Sequence, residues 1–305
     1  MSYTGAVNLG ELGGTGNGTN RKDLFQDYYL ETLEAFTRMN IGQGLIMSQS
    51  IPSGKAAEFI VGQFSDGTDT NTHTAGTQIS VTDQAFDQRL IVIDDVEYTA
   101  KRIDSFEEAM AHYPTRQTIT NFMGETLAKF VDKKIFSTVA AAAVTTGKVG
   151  NPDGVTVTNA VIASATAPAA IGNAIADSIF DAVAKLRVND NANEPVVVVD
   201  PINYSYLVRA DRMVDGDFTS GNGGLDSGTI KMCGGAKVYQ SNNLPATANL
   251  EALVFTREAA GMVTLQGLKT ESNYQEDFFA DLLTARLGVG YGVLRPECAC
   301  VIMSA

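Results

Sequence analysis

Downstream of Pro114, the residues Ile119, Phe122, Met123, Leu127, Phe130, Val131 and Ile135 recur at three- and four-residue steps and run into the alanines 140–143. That period predicts a helix. At about 27 residues it is roughly 40 Å long at 1.5 Å per residue. Most globular helices have three or four turns, so the rest of the chain must fold along this rod. Just before it, Ser105 and Glu108 form an S-x-x-E capping box, which predicts a short helix opening at Ser105. Pro114 then interrupts it, because proline has no N–H to continue the ladder. Lys129, Lys133 and Lys134 form a charged flank on the long helix, fit for salt bridges along a strip.

The chain has 305 residues, enough for one large domain or two modest ones. Residues 1–20 are rich in Gly, Asn and Thr and carry no apolar period, which reads as a tail. Leu24, Phe25, Tyr28, Tyr29, Leu33 and Phe36 then predict an amphipathic helix, packed on its own domain or on a neighbouring subunit. Residues 56–64, 78–82 and 89–103 read as strands, with Val92, Asp94, Val96 and Tyr98 on one face of the last. The polar stretch 65–77 between them is a loop. A hairpin with so little apolar mass at its tip does not make a core alone, so it is expected to lie on a partner. Residues 145–170 read as a low-charge loop at a domain boundary. A helix is expected at about 172–188, a buried strand at 196–201 ended by proline, and a short helix at 202–209. Residues 220–229 form a loop. A strand followed by a turn is predicted at 234–245, and strands at 252–256, 261–272, 279–294 and 298–305. Strands at both ends around a helix–strand middle give a mixed α+β architecture.

Net charge is −13. An acidic surface argues against tight nucleic-acid binding, which needs Lys and Arg to displace counterions, and against anionic membrane surfaces. No apolar run approaches the ~20 residues of a membrane helix, and no secretory signal is visible at the N-terminus. Three cysteines, Cys233, Cys298 and Cys300, fit a reducing compartment. Cys298 and Cys300 alternate on one face of a predicted strand, as small buried hydrophobes do. His73 and His112 are far apart, which gives neither a zinc set nor a partner for a thiol nucleophile. The glycines of GVGYG at 288–292 precede a strand, whereas a phosphate loop must open a helix. Gly13 to Gly18 follow no strand, and TTGKVG at 145–150 lacks the hydroxyl residue after its lysine. Carboxylate neighbours such as Asp94 and Asp95 point in different directions and do not make a dyad. No enzyme chemistry, metal or cofactor is expected.

Several short motifs lie in one order along the chain: Ser53-Gly54-Lys55 with Phe59 and Val61; Glu107-Glu108-Ala109-Met110 with His112, Tyr113 and Arg116; Gly124-Glu125 with Leu127-Ala128; Asp200-Pro201 with Tyr204-Ser205; and Leu294-Arg295-Pro296-Glu297 after Gly292. Together they resemble the major capsid proteins of short-tailed phages, podoviruses of the autographivirus type. The resemblance runs from about residue 50 to 300. It implies an HK97-like phage capsid fold with an N-terminal arm (1–48), an extended E-loop hairpin (49–103), a P-domain with a long spine helix (104–148), an A-domain (149–260), and P-domain strands with a closing segment (261–305). It implies self-assembly as hexamers and pentamers into an icosahedral shell, T=7 in podoviruses, around packaged double-stranded DNA that is enclosed without sequence-specific binding. The implied partners are further copies of the chain, a scaffolding protein and a portal protein, with assembly in the host cytoplasm and residence in the virion capsid. An encapsulin-type compartment shell, which shares the fold, is the alternative. Expected intersubunit contacts are Lys55 and Arg89 in the hairpin, Arg116, Lys129 and Lys133 along the spine, and Arg295 and Glu297 holding the closing segment. An exposed ion pair is worth no more than about 1 kcal/mol, so each is an expectation about geometry rather than about energy.

Overall fold

The computed structural model describes residues 40–62, 72–79, 81, 83, 86–110, 115–189, 191, 193–211, 230–247 and 249–305. The predicted N-terminal helix, His112, Pro114 and the 220–229 loop lie outside them. The chain divides into two compact units. Among the described residues, the first draws on 40–41, 94–131 and 264–289, and the second on 42–93, 132–263 and 290–305.

The first unit is built around strand β4 (Val96–Asp104), helix α2 (Ser105–Met110) and the opening half of helix α3 (Thr115–Ala143). Strands β10 (Ala260–Gln275) and β11 (Ala280–Val293) run through it. β4 pairs antiparallel with β11, from Asp104 opposite Ala280 to Val96 opposite Gly288. Ile103, Met123, Leu283 and Ala285 form its core, with Ile119 and Leu268 packed against them. The long helix therefore starts at the first residue after Pro114, as its period predicts. The cap of α2 differs. Asp104 Oδ1 accepts from Phe106 N at 2.7 Å, and Ser105 already lies in the helix. Asp104 does what the capping box assigned to Ser105, because its carboxylate sits one residue earlier and is an equally good N-terminal acceptor. Glu108 is thereby left for another partner.

In the second unit, helix α1 (Gly42–Leu45) and strand β1 (Met47–Ser50) precede the hairpin strands β2 (Ala56–Gly62) and β3 (Phe86–Val92). The single strand expected over 89–103 is two. It breaks at 93–95, so Val92 and Val96 belong to different sheets. Residues 78, 79 and 81, expected in a strand, are in none. The region 145–170 is not only loop. It holds strand β5 (Val155–Asn159) and helix α4 (Ala160–Ser164), the latter capped by Asn159 Oδ1 accepting from Val161 N. A threonine–valine alternation of five residues is too short a signal to compete with the glycines and prolines around it.

Helix α5 (Pro168–Val188), strand β6 (Val196–Val199), helix α6 (Pro201–Val208), and strands β7 (Met232–Cys233), β8 (Ala236–Gln240), β9 (Leu250–Phe255) and β12 (Ala299–Ser304) complete the unit. The sheet order is β5-β12-β9-β6-β8-β7. β5/β12 and β6/β8 are parallel, and β12/β9 and β6/β9 are antiparallel. Two faces of strand and helix close on Ile175, Ile179, Val183, Leu186, Val197, Val199, Val254 and Ile302. Both helices open with proline, whose missing N–H costs nothing in a first turn. α6 adds a cap, since Asp200 Oδ2 accepts from Ile202 N at 3.1 Å. Gly172 lets α5 and α6 touch: a Cβ there would stand 2.1 Å from the Tyr206 carbonyl oxygen. The aspartate at 132, fully buried in α3, accepts from Gly42 N at 2.9 Å and from Asn243 Nδ2 at 3.4 Å.

Candidate interaction surface

The hairpin has two unlike faces because side chains alternate along each strand. β2 pairs antiparallel with β3, from Ala56 opposite Val92 to Gly62 opposite Phe86. Ala57 and Phe59 from one strand and Ile91 from the other pack with Ile93, Val263, Leu294 and Ile51. The opposite face carries Ile60, Phe86 and Leu90, which are 72%, 65% and 57% exposed. Large apolar side chains lined up on one face of a two-stranded ribbon lack a core of their own. A partner surface is the ordinary reason for such a pattern.

The inward face is anchored by backbone packing and by charge. Gly290 and Gly292, which the sequence offered as a spurious phosphate loop, lie in β11 beneath β3. A Cβ at Gly290 would stand 2.6 Å from Val92 O, and one at Gly292 2.6 Å from Ile91 Cγ1. Ile93 N donates to Lys55 O at 2.8 Å and closes the hairpin base. The turn at 145–154 then grips the far end of both strands. Lys148 Nζ donates to Gln88 O at 2.9 Å and pairs with Asp87 Oδ2 at 2.8 Å. Asn151 Nδ2 donates to Gly62 O at 3.2 Å and to Glu297 Oε1 at 3.4 Å. Arg89 Nη2 donates to Thr146 O at 3.3 Å. The turn is itself braced by Asp153 Oδ1, which accepts from Gly147 N at 2.8 Å. The ammonium of Lys148 holds the exposed Asp87 carboxyl below its usual value.

The expected contact residues separate by burial. Lys129 and Lys133 are exposed on α3, and no acid reaches either among the described residues. They share an outward stripe with Phe122 and Phe130, which are 52% and 43% exposed. Lys55 is exposed at the hairpin base. Arg116 is committed within its own chain. Its Nε and Nη2 fork onto the two Glu108 oxygens at 3.0 Å each, and Nη2 also meets Asp281 Oδ2 at 2.7 Å. The two carboxylates, Glu108 first, hold the guanidinium in its charged form against the cost of partial burial. Arg295 pairs with Glu258 at 3.2 Å. Glu297 is buried, and its peptide carbonyl accepts from Asn189 Nδ2 at 3.4 Å. Burial pushes its carboxyl above the ordinary range.

Sequence reasoning missed Lys148, Asn151, Asp87 and Asp281. The only available signal was NPDG at 151–154, which announces a turn but not its partners. Cys233, Cys298 and Cys300 are all buried, and burial pushes each thiol up to about 12. Cys300 lies in β12, but Cys298 sits in a 3₁₀ turn (Pro296–Cys298) rather than on the same strand face, because Pro296 tightens the chain there. No helix of the described residues is long and apolar enough to cross a membrane. Among the described residues, no group of three or more His, Cys, Asp or Glu is arranged to hold a metal ion.

The sequence matches the family model of the Gp10A-like major capsid proteins over residues 63–251 and 245–303. The major capsid protein of Escherichia phage T7 is 27% identical over 309 residues, spanning 88% of each chain. A chain from the capsid of the cyanophage P-SCSP1u superposes with a TM-score of 0.76 at 27% identity, covering 87% of this chain and 88% of that one. A chain from the mature capsid of bacteriophage PhiM1 superposes with a TM-score of 0.71 at 16% identity, covering 87% of each, a likeness of fold.

Proposed function

The chain belongs to the Gp10A-like major capsid protein family, and from that premise we propose that its copies assemble into the icosahedral shell of a phage. Its fold is the HK97-like capsid fold of its structural neighbours. The observation that carries the proposal is the hairpin: a ribbon held near its base by Gly290 and at its far end by Lys148 and Asn151, with Ile60, Phe86 and Leu90 left bare on its outer face. A neighbouring copy covers that face. Burying apolar area is worth about 25 cal/mol per Å², and a closed shell repeats the contact at every subunit.

In this reading the copies form hexamers and pentamers, in the T=7 arrangement expected of podovirus shells, around double-stranded DNA. Residues 1–48 serve as the arm, 49–103 as the E-loop, 104–148 and 261–305 as the P-domain, and 149–260 as the A-domain. The net charge of −13 suits a wall that encloses DNA without adhering to it. Scaffolding and portal proteins are the assembly partners. The shell is built in the host cytoplasm and becomes part of the virion, and the chain has no catalytic role. Lys129 and Lys133, with Phe122 and Phe130, face a neighbour or the scaffold. Arg116 and Arg295 act one step back, by holding α2, α3 and the closing segment in shape. Lys55 sets the hairpin base and Arg89 its inward face. The encapsulin-type alternative is not favoured, since the family and the relatives are phage capsid proteins.

Negative-stain electron microscopy of the purified chain, expressed with and without a scaffolding protein, tests the proposal. Closed shells or uniform rings are expected, with shells of even size when scaffold is present. A stable monomer under both conditions would refute it.

A further inference from the structure

Two charged side chains between the hairpin and the closing segment are left half-partnered. Glu297 is only 1% exposed, yet its Oε2 has no hydrogen-bond partner. Its Oε1 takes the Asn151 amide at 3.4 Å, the long end of a hydrogen bond, and the carboxylate's further help is its own backbone N–H. Arg89 projects from the inward face of β3, in register with Phe59. Its Nη2 reaches Thr146 O at 3.3 Å, while its Nε is buried with no partner. Burial is the dominant influence on the Glu297 carboxyl and favours its neutral form, while the nearby charges of Arg295 and then Arg89 favour the ionised one. The neighbouring charges do not supply what is missing. Arg295 is engaged by Glu258, and Lys148 by Asp87 and Gln88 O. A buried acceptor on the closing segment and a buried donor on the hairpin each raise the free energy of the fold while unpaired.

We infer that Arg89 and Glu297 form a latch: a small slide of β3 over the turn at 146–151 closes an ion pair from Arg89 Nε to Glu297 Oε2 and locks the hairpin onto the closing segment. The contacts Arg89 and Glu297 now make are long, at 3.3 and 3.4 Å, and the Lys148 contacts to Asp87 and Gln88 O, at 2.8 and 2.9 Å, run through a flexible side chain that can follow β3. Part of the surface beneath β3 is the bare backbone of Gly290 and Gly292, and the side chains packed there are the aliphatic ones around Ile91. Closing the pair satisfies both orphaned atoms with one charge-assisted bond. The purpose of the latch rests on the shell reading, in which the closed pair holds the hairpin in place where a neighbour presses on its outer face. Its existence does not.

The test is a double-mutant cycle on soluble subunits, with R89M and E297Q singly and together, both of which keep the buried stem volume. The readout is hydrogen exchange of the amides of residues 56–62 and 86–92. Each single variant is expected to speed exchange about tenfold, the loss of one hydrogen bond to a charged group, and the double variant to be no faster than either. Singles that leave exchange unchanged, or effects that multiply in the double, would overturn the latch. Should E297Q not fold, E297D serves in its place, since it keeps the charge and withdraws the oxygen by one methylene. Particle formation by the unaltered chain is scored separately. A chain that never forms shells would refute the shell reading and leave the cycle to decide the latch.

Discussion

Arg116 shows how a charge expected at an interface is consumed inside one subunit. Its fork on Glu108 and its contact to Asp281 join α2, α3 and β11. The site is 28% exposed on the arginine side, so solvent screens it in part. R116M is expected to lower stability by about 1–2 kcal/mol, read as a fall in the denaturation midpoint. R116K should recover little of it, because a lysine cannot fork onto two oxygens. The cysteines give a second expectation at this scale. With each thiol pushed up to about 12 by burial, iodoacetamide at pH 8 should leave Cys233, Cys298 and Cys300 unmodified in the native protein and alkylate all three in denaturant. The charged residues themselves were legible in the sequence. Their partners were not, since Asp281 is 165 positions from Arg116 and nothing local marks the pair.

The hairpin and the turn that grips it are the elements on which the proposed function turns. G290A places a Cβ 2.6 Å from Val92 O, backbone that has nowhere to yield. Overpacking of this kind costs about 1–3 kcal/mol, and faster exchange of β3 amides would show it. The tie from Lys148 to Asp87 has a definite pH sense. The Asp87 carboxyl is held below its ordinary value of 3.8, first by the Lys148 hydrogen bond and then by Gln88 N. Its contribution is therefore complete above that value and is lost as pH falls through the lowered one. Protection of 86–92, corrected for intrinsic exchange, should drop in that acid window, and D87N should abolish the step. Element boundaries were legible where the apolar period was long, as in α3 and α5. They failed at 93–95, where Asp94-Asp95 interrupts a run of β-branched and aromatic residues too briefly to announce that the backbone changes sheet.

At the scale of the whole molecule, stability and assembly should separate. Ile60 and Leu90 are exposed in the subunit, and surface substitutions change stability by no more than about 0.5 kcal/mol. I60D with L90D is thus expected to leave the melting temperature of the subunit unchanged while abolishing rings and shells in electron micrographs. Assembly undiminished in that variant would mean the outer hairpin face is not the contact. The same logic applies to the outward stripe of α3. Its apolar residues lie around the whole circumference, with Met123 and Leu127 inside and Phe122 and Phe130 outside. A helix of that kind is expected where a second surface is to be covered.

The sequence by itself determined the long helix, the α+β class, the buried valine strand with a short helix after it, and the burial of Cys298 and Cys300. These follow from residues within a turn or two of one another, whose spacing and side-chain chemistry act locally. Only the tertiary structure decided that Asp104 rather than Ser105 caps α2, that 155–164 is strand and helix, that glycines 290 and 292 are a bed for β3, and that Glu297 is buried against the hairpin. Each of those depends on atoms brought together from distant parts of the chain. A close approach, an orphaned oxygen or a shared carboxylate has no signature in any one stretch of sequence.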